Sequence, residues 1–304
     1  MKKEILKYIQ DPLLIFSFFL RKISPLIKND ELYIKLEYFF TMKKILCLSN
    51  PKTFNEKLQW LKLNCKKDEY TSLVDKYEVK KNVAKIIGEE HIIPTLGVWN
   101  NFDDIEFENL PDKFVLKCTH DSGGVAICNN KSIFDKRKVR EKLDKSMRKN
   151  YFYEHREYVY KNVKPRIIAE KYMVDESGEQ LKDYKFFCFD GEVKALFIAT
   201  DRGQGTTKFD FFDSDFNHLP IKQHYPNTGK PIAKPAGFEE MKKLATQLSQ
   251  GFPHVRIDFY DINGKIYFGE LTFFHFNGTV PFEPKEWDMV FGNFVNLSKC
   301  EKDG

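Results

Sequence analysis

The stretch 254–278 constrains the fold of this chain more than any other part of its sequence. Two runs in which apolar and polar residues alternate, 255–260 and 265–271, flank the dipeptide Asn263-Gly264. Asn-Gly between two alternating runs is the strongest short-range signal of a two-residue hairpin turn. The stretch therefore predicts an antiparallel β-hairpin, and with it a fold that contains an antiparallel sheet.

One face of this predicted hairpin concentrates charge. Strand alternation places Arg256 and Asp258 on one face, and Glu270 and Thr272 lie on the same face across the turn. Two neighbouring carboxylates repel each other unless a cation lies between them, and oxygen ligands suit Mg²⁺. Arg256 could then hold an anion that the metal also binds. The same residues also fit an exposed hairpin with an ion pair between Arg256 and Glu270.

The rest of the chain changes from helical to β patterning near residue 110. Thr53 with Glu56 three residues later predicts a capping box that opens a helix over 55–63, and Gly88 closes a helix over 75–87. Short β runs follow, at 114–117, 125–128, 166–173, 184–189, 193–200 and 208–212. The sequence has no internal repeat and no low-complexity linker. We therefore predict an α+β fold with a small β-rich lobe between a helical start and a sheet-containing end.

Composition restricts the kind of ligand. The net charge of +5 comes from lysine, because 41 of the 49 basic residues are Lys and only 8 are Arg. The lysines are interleaved with 44 acidic residues, whereas a nucleic-acid reader usually clusters its basic residues and relies on Arg. We therefore expect a mixed-charge surface, no nucleic-acid partner and a small anionic ligand.

The N-terminus carries a short apolar run, 12–20, that Arg21 and Lys22 end. A spanning helix needs roughly 20 apolar residues, and no small-residue cleavage site of a signal peptide follows the run. Two interpretations stay open: an apolar helix that packs on the body, or an amphipathic helix on a membrane surface. In the second, the flanking basic residues would face the lipid: Lys2, Lys3, Lys7, Arg21, Lys22 and Lys28.

The cysteines give no sign of a metal site. None of them forms a C-x-x-C pair or a Cys/His cluster at zinc spacing, and they are Cys47, Cys65, Cys118, Cys128, Cys188 and Cys300. This pattern predicts a reduced, cytoplasmic protein.

A second candidate element joins Lys117 to the polar, glycine-bearing turn 119–124. A lysine at a strand end, beside a flexible Ser/Gly turn, suits a loop whose backbone N–H groups fold over phosphates. The turn is neither a Walker A motif nor a G-x-G-x-x-G fingerprint, so a plain hairpin turn is the alternative. A third element, 168–173, is by itself an ordinary half-buried strand.

These three elements, in this order, resemble the ATP-grasp superfamily over residues 112–280. The resemblance implies that Lys117 and the loop close over the triphosphate of ATP, and the loop residues concerned are His120, Ser122, Gly123 and Gly124. It implies an adenine-binding hinge at Glu170, Lys171 and Met173, and Mg²⁺ held by Asp258 and Glu270 with Arg256 at the γ-phosphate. Where the family usually has Asn, this sequence has Thr272, so either Thr272 or Asn277 would complete the metal site. The number of bound ions, one or two, stays open.

Within the superfamily the chain is most similar to TupA-like proteins, over about residues 50–290. The matching segments are 50–57 with Gln59-Trp60, 75–77, 114–117, 183–186 and 270–273. This group is associated with capsule and surface polysaccharides, and its members are often labelled glycosyltransferases. The resemblance implies a carboxylate–amine ligase that uses ATP and Mg²⁺ to join an amine to a saccharide carboxylate, free or lipid-linked.

The implied architecture has four parts: N-terminal helices at 1–48, a substrate-side region at 49–112, a lid lobe at 113–172 and a large lobe at 173–304. Lys185, which alternates with Asp183 along a strand, either contacts phosphate or forms an exposed ion pair on that strand. Arg202 either stabilises the transferred phosphoryl group or is an ordinary turn arginine. His275 is either a base for the amine or structural. The run 151–164 either binds an anionic saccharide or forms a solvated face.

Two rival functions remain at this stage. Asp213 and Asp215 form a D-x-D after an apolar strand, as in metal-dependent glycosyltransferases, although the same residues are turn formers. A non-catalytic scaffold that retains the fold is the other possibility.

Overall fold

The computed structural model describes residues 11–174, 181–201 and 206–303, with residues 301–303 as backbone only. The α-helices are Leu13–Ile23 (α1), Asp30–Met42 (α2), Phe54–Asn64 (α3), Tyr70–Val74 (α4), Glu78–Ile87 (α5), Lys136–Met147 (α6), Phe152–His155 (α7), Phe238–Leu248 (α8) and Glu286–Phe294 (α9). The strands are Thr95–Trp99 (β1), Phe114–Cys118 (β2), Val125–Cys128 (β3), Ile167–Lys171 (β4), Asp183–Phe189 (β5), Glu192–Thr200 (β6), Lys208–Asp213 (β7), His218–Leu219 (β8), Val255–Ile262 (β9) and Lys265–Thr272 (β10). The predicted α+β fold class is confirmed.

The strands form two antiparallel sheets. The small sheet has the order β1-β4-β2-β3, and the large sheet has the order β10-β9-β5-β6-β7-β8. The predicted hairpin is β9–β10, and its turn residues Asn263 and Gly264 both have positive φ, 56° and 80°. Gly and Asn are the residues that adopt this conformation at least cost, which explains the dipeptide.

The lobe boundaries differ from the predicted ones. β1 pairs with β4 and so belongs to the small sheet, although it precedes the predicted start of the lobe at residue 113. The segment 151–163, placed in the lid, instead contributes Val159, Tyr160 and Val163 to the core of the large lobe. Local patterning could not assign β1 to the small lobe, because its partner strand β4 lies some seventy positions away.

Hydrogen bonds from side chains to the backbone determine where α3 and α5 begin. Thr53 and Glu56 form the predicted capping box of α3. The helix expected over 75–87 begins at Glu78, because Asp75 Oδ1 accepts hydrogen bonds from the backbone N–H groups of Tyr77 and Glu78 at 2.8 and 3.2 Å.

The N-terminal helices form a layer of their own. α1 and α2 enclose a small cluster of buried residues: Leu20, Tyr33, Ile34, Tyr38, Met42 and Leu46. None of the helices in the described ranges is long and apolar enough to cross a membrane.

Cys65 and Cys300 form a disulfide, with their Cα atoms 5.2 Å apart. The expectation of a fully reduced chain is therefore wrong in this structure. Sequence spacing could not have revealed the bond, because the two residues are separated by 235 positions.

Candidate active site

The centre of the site is a buried carboxylate, Asp258 on β9. Its register partner on β10 is half-buried Glu270, and a register irregularity between Phe268 and Glu270 precedes it. Arg256 donates to both oxygens of Asp258, from Nε to Oδ1 at 2.7 Å and from Nη2 to Oδ2 at 2.8 Å. Lys185 Nζ on β5 also bonds to Asp258 Oδ2. The strands thus bring together the two carboxylates and two cations that the sequence singled out.

The two cations keep Asp258 ionised. Burial alone would raise the pKa of Asp258, but Arg256 and Lys185 outweigh it and lower that pKa from its ordinary value. Burial also lowers the pKa of Lys185, and the charge of Asp258 opposes this shift. Arg256 forms its strongest pair within its own strand, so the alternative of an exposed Arg256–Glu270 pair does not describe the hairpin.

His275 completes the shell around Arg256. Arg256 Nη1 donates to His275 Nδ1 at 2.9 Å, and Nη2 donates to Thr272 Oγ1 at 3.0 Å. The other ring nitrogen, Nε2, donates to Gln223 Oε1 at 2.9 Å. Burial and the nearby Arg256 lower the pKa of His275 well below its usual value. With both nitrogens engaged, this neutral ring orients Arg256 and is poorly suited to act as a free base.

The donor set fits a hard divalent cation that is held jointly with phosphate. Asp258 and Glu270 lie in register on one face, and no group of three or more His, Cys, Asp or Glu able to hold a metal exists among the described residues. Mg²⁺ commonly takes one or two carboxylates and completes its shell with water and phosphate oxygens. Two carboxylates therefore suffice, provided that Lys185 shares Asp258 with the ion.

A second charged centre lies in the small lobe. Glu170 on β4 is buried and accepts Lys117 Nζ on one oxygen and Lys80 Nζ on the other, each at 2.5 Å. Burial raises the pKa of Glu170, but the two lysines outweigh it and hold that pKa at about 2. The carboxylate of Glu170 thus orients lysines, and one positive charge remains in excess.

Sequence reasoning missed Lys80. This α5 residue also donates to Ile93 O at 2.8 Å and to Thr95 Oγ1 at 2.9 Å. It lines a cavity of about 360 Å³ together with Tyr77, Lys81, Glu89, Ile92, Ile93, Pro94 and Thr95. Nothing in the local pattern distinguishes Lys80 from its neighbours, because its partner Glu170 is 90 positions away.

The predicted glycine-bearing loop has an exposed tip and a buried base. Ser122 and Gly123 are exposed, and Gly123 has a φ of 122°, which favours glycine. At the base, Asp121 Oδ1 accepts the backbone N–H of Gly124, and buried His120 donates from Nε2 to Ser146 O at 3.1 Å. The His120 ring therefore points towards α6. The resemblance implied that this side chain contacts phosphate, and the observed orientation differs from that expectation.

The remaining predicted residues fall into three groups. In the hinge, Lys171 is exposed and Met173 is half-buried. Arg202 lies outside the described residues. Asp213 Oδ1 accepts the backbone N–H groups of Asp215 and Asn217, so this D-x-D closes a turn, as the turn-former interpretation predicts.

The segment 151–164 is not a solvated face. Arg156 is buried beneath the N-terminal helices, and Glu157 is also buried. Burial raises the pKa of Glu157 to about 7, and the charge of Lys62 opposes the shift. Lys62, another residue that the sequence did not reveal, donates to His155 O and to Asn277 O at 3.0 and 2.9 Å.

A small antiparallel lobe with a lysine beside a glycine-bearing loop, together with a large antiparallel sheet that carries paired carboxylates, is the arrangement of an ATP-grasp protein. The TupA-like ATPgrasp family model matches residues 56–296. The chain therefore belongs to the TupA-like ATP-grasp family, and the resemblance inferred from the sequence is confirmed.

The chain is also similar to several solved structures, at low identity and low TM-score. D-alanine–D-alanine ligase from Helicobacter pylori is 13% identical, with a TM-score of 0.42 over 83% of this chain and 67% of that one. The ATP complex of D-alanine–D-alanine ligase from Bacillus anthracis is 15% identical, with a TM-score of 0.42 over 77% and 68%. ATP-grasp ligase PsnB with its minimal precursor is 9% identical, with a TM-score of 0.37 over 67% and 54%. Among curated proteins the comparison finds no match to this chain.

Proposed function

We propose that this protein is an ATP- and Mg²⁺-dependent ligase that joins a carboxylate to an amine. The observation that carries the proposal is the pairing of Asp258 with Glu270 across β9–β10, with Arg256 and Lys185 on the Asp258 oxygens. This arrangement gathers two acidic ligands and two cations at one place, which is what a metal-bound polyphosphate needs.

The proposed reaction has two steps. An oxygen of the substrate carboxylate attacks the γ-phosphorus of ATP, the bond to the bridging oxygen breaks, and ADP leaves an acyl phosphate. The amine nitrogen then attacks the acyl carbon, inorganic phosphate leaves, and the nitrogen loses a proton to give the amide. Charge builds up on phosphate oxygens in the first step, so fixed cations stabilise its transition state electrostatically.

Each charged residue has a proposed task in this scheme. Asp258 and Glu270 would hold Mg²⁺, which neutralises phosphate charge when it is bound. Lys117 and Lys185 bind phosphate oxygens, and Arg256 holds the group in transfer. Arg202 keeps its predicted role beside that group as a further part of the proposal.

Our proposal for the substrate class rests only on the resemblance to TupA-like proteins. We infer an amino acid or amine as nucleophile and a sugar acid of a surface-polysaccharide precursor as the carboxylate.

Nucleotide binding tests the proposal directly. Mg-ATP should raise the unfolding temperature of the wild-type protein, and Lys117→Met and Asp258→Asn should each abolish that increase. Lys138→Met is the matched control, because this lysine is 83% exposed on α6, and it should respond like the wild type. Stabilisation by a UDP-sugar with Mn²⁺ that Asp213→Ala removes and Asp258→Asn retains would instead establish the glycosyltransferase. A chain that responds to neither ligand would be a scaffold.

A further inference from the structure

The outer side of α1 is apolar and exposed. Only Ser17 and Leu20 of this helix are buried, whereas Phe16 and Phe19 are 55% and 59% exposed. Leu26, just beyond the helix, is 80% exposed. Aromatic and aliphatic side chains of this size rarely stand together in water on a protein that has no partner for them.

The apolar surface continues onto α2. The Phe16 ring stacks on Phe40 of α2 with centroids 5.6 Å apart, and Phe39 beside it is also exposed. We call this surface the N-terminal apolar face, and it consists of Ile15, Phe16, Phe18, Phe19, Ile23, Leu26, Leu32 and Phe39. It lies outside the family match, which begins at residue 56, so the catalytic unit does not account for it.

The charge of this layer is positive. Its described residues, 11–48, contain six basic and four acidic side chains, a net charge of +2. Its described carboxylates are already paired: Asp11 with Lys43, Asp30 with Arg156, Glu31 with Lys35 and Glu37 with His155. Lys22 and Lys28 are exposed beside the N-terminal apolar face, and neither has a described carboxylate partner.

A buried arginine fixes the orientation of the face. Arg156, which has a φ of 57°, donates to Ser24 Oγ, Ser24 O and Ile27 O, each at 2.7 Å. It also pairs with Asp30 and stacks against the Tyr33 ring, 4.4 Å from its centroid. α1 and α2 are therefore held firmly on the large lobe, so the face is a fixed surface of the folded protein.

We propose that the N-terminal apolar face docks on an anionic lipid bilayer and lies in its interface. Exposed phenylalanines with neighbouring lysines and few free carboxylates match the chemistry of such a surface. At 11 residues α1 is about 16 Å long, which is too short for the roughly 30 Å hydrocarbon core, so the helix lies along the surface. Charge complementarity favours anionic lipid over a second copy, whose face would carry the same positive charge.

Co-sedimentation with vesicles tests the proposal on the full chain. The wild type should bind phosphatidylcholine vesicles that contain phosphatidylglycerol, and bind pure phosphatidylcholine more weakly. Phe16→Ser/Phe19→Ser and Lys22→Glu/Lys28→Glu should each weaken binding to the mixed vesicles by about tenfold or more. Ile133→Ser is the matched control, because Ile133 is 80% exposed in the small lobe, and it should bind like the wild type. Unfolding temperatures identify any variant that has lost its fold.

Three results would overturn the proposal. They are absence of wild-type binding to the mixed vesicles, equal binding to neutral vesicles, and binding that neither double variant changes. Sedimentation velocity distinguishes the competing occupant: a wild-type dimer that Phe16→Ser/Phe19→Ser converts to a monomer, without vesicle binding, would assign the face to a second copy. The nucleotide response of these variants is measured separately, so failure of this proposal leaves the ligase proposal intact.

Discussion

The small-lobe charge cluster provides a quantitative test, because a single substitution, Glu170→Gln, removes its only carboxylate. The amide has nearly the same shape as the carboxylate but carries no negative charge. Lys80 and Lys117, both largely buried, would then face each other across a neutral group. Removing one partner of a buried ion pair is costly because the remaining charge keeps its desolvation penalty.

The magnitude follows from the pKa of Glu170. A shift from the ordinary 4.5 to about 2 corresponds to about 3 kcal/mol of stabilisation at neutral pH. Because the folded-state pKa lies below the unfolded one, this contribution is complete above the unfolded pKa. It is lost as the pH falls towards the folded pKa of about 2. Glu170→Gln should therefore lower the free energy of unfolding by about 3 kcal/mol at pH 7 and by about 2 kcal/mol at pH 3.5.

Urea unfolding of the wild type and the variant at the two pH values measures both numbers. Glu192→Gln is the control, because Glu192 pairs with Lys194 on the surface and is 67% exposed. Its removal should change the free energy of unfolding by less than about 0.5 kcal/mol. A loss below about 1 kcal/mol for Glu170→Gln at pH 7, or a loss that does not shrink in acid, would refute the reasoning.

Three further predictions concern the large lobe. Asp258→Asn leaves two buried cations without their carboxylate and should cost about 3–5 kcal/mol in urea unfolding, which a loss under about 1 kcal/mol would contradict. Glu157 has a pKa raised by burial to about 7, so its ionisation destabilises the fold as the pH rises from about 4.5 to 7. The free energy of unfolding of Glu157→Gln should therefore rise by about 3 kcal/mol relative to that of the wild type over this pH range. Parallel pH–stability curves of the two proteins would contradict the prediction. Cys65→Ser should lower the free energy of unfolding by about 2–5 kcal/mol under non-reducing conditions, an effect that must vanish when both proteins are reduced.

The sequence predicted the parts of the fold that local patterns determine. Asn263-Gly264 between alternating strands determined the hairpin and its register as far as the pair Phe259–Phe268. Beyond that pair, the irregularity between Phe268 and Glu270 places Glu270 instead of Gly269 opposite Asp258, and the turn does not determine it. The capping box at Thr53 likewise marks the start of a helix within four residues of chain. Such features depend on neighbours in sequence, so a single chain is enough to find them.

The features that the sequence did not reveal depend on distant partners. Lys80 acquires its role only because β1 and β4 bring Glu170 to it, and Lys62 meets Asn277 across 215 positions. Each is one lysine among 41, and neither has a distinguishing neighbour. The Cys65–Cys300 bond is hidden for the same reason, since six cysteines allow many pairings.

The segment 151–160 joins the N-terminal layer to the large lobe. Buried Arg156 holds α1 and α2 through Ser24 and Ile27. The backbone oxygen of the preceding residue, His155, accepts Lys62 Nζ, and Lys62 also donates to Asn277 O, two residues beyond His275 in the sequence. The N-terminal helices and the chain beside the candidate site therefore depend on the same buried segment, although they lie in different parts of the sequence.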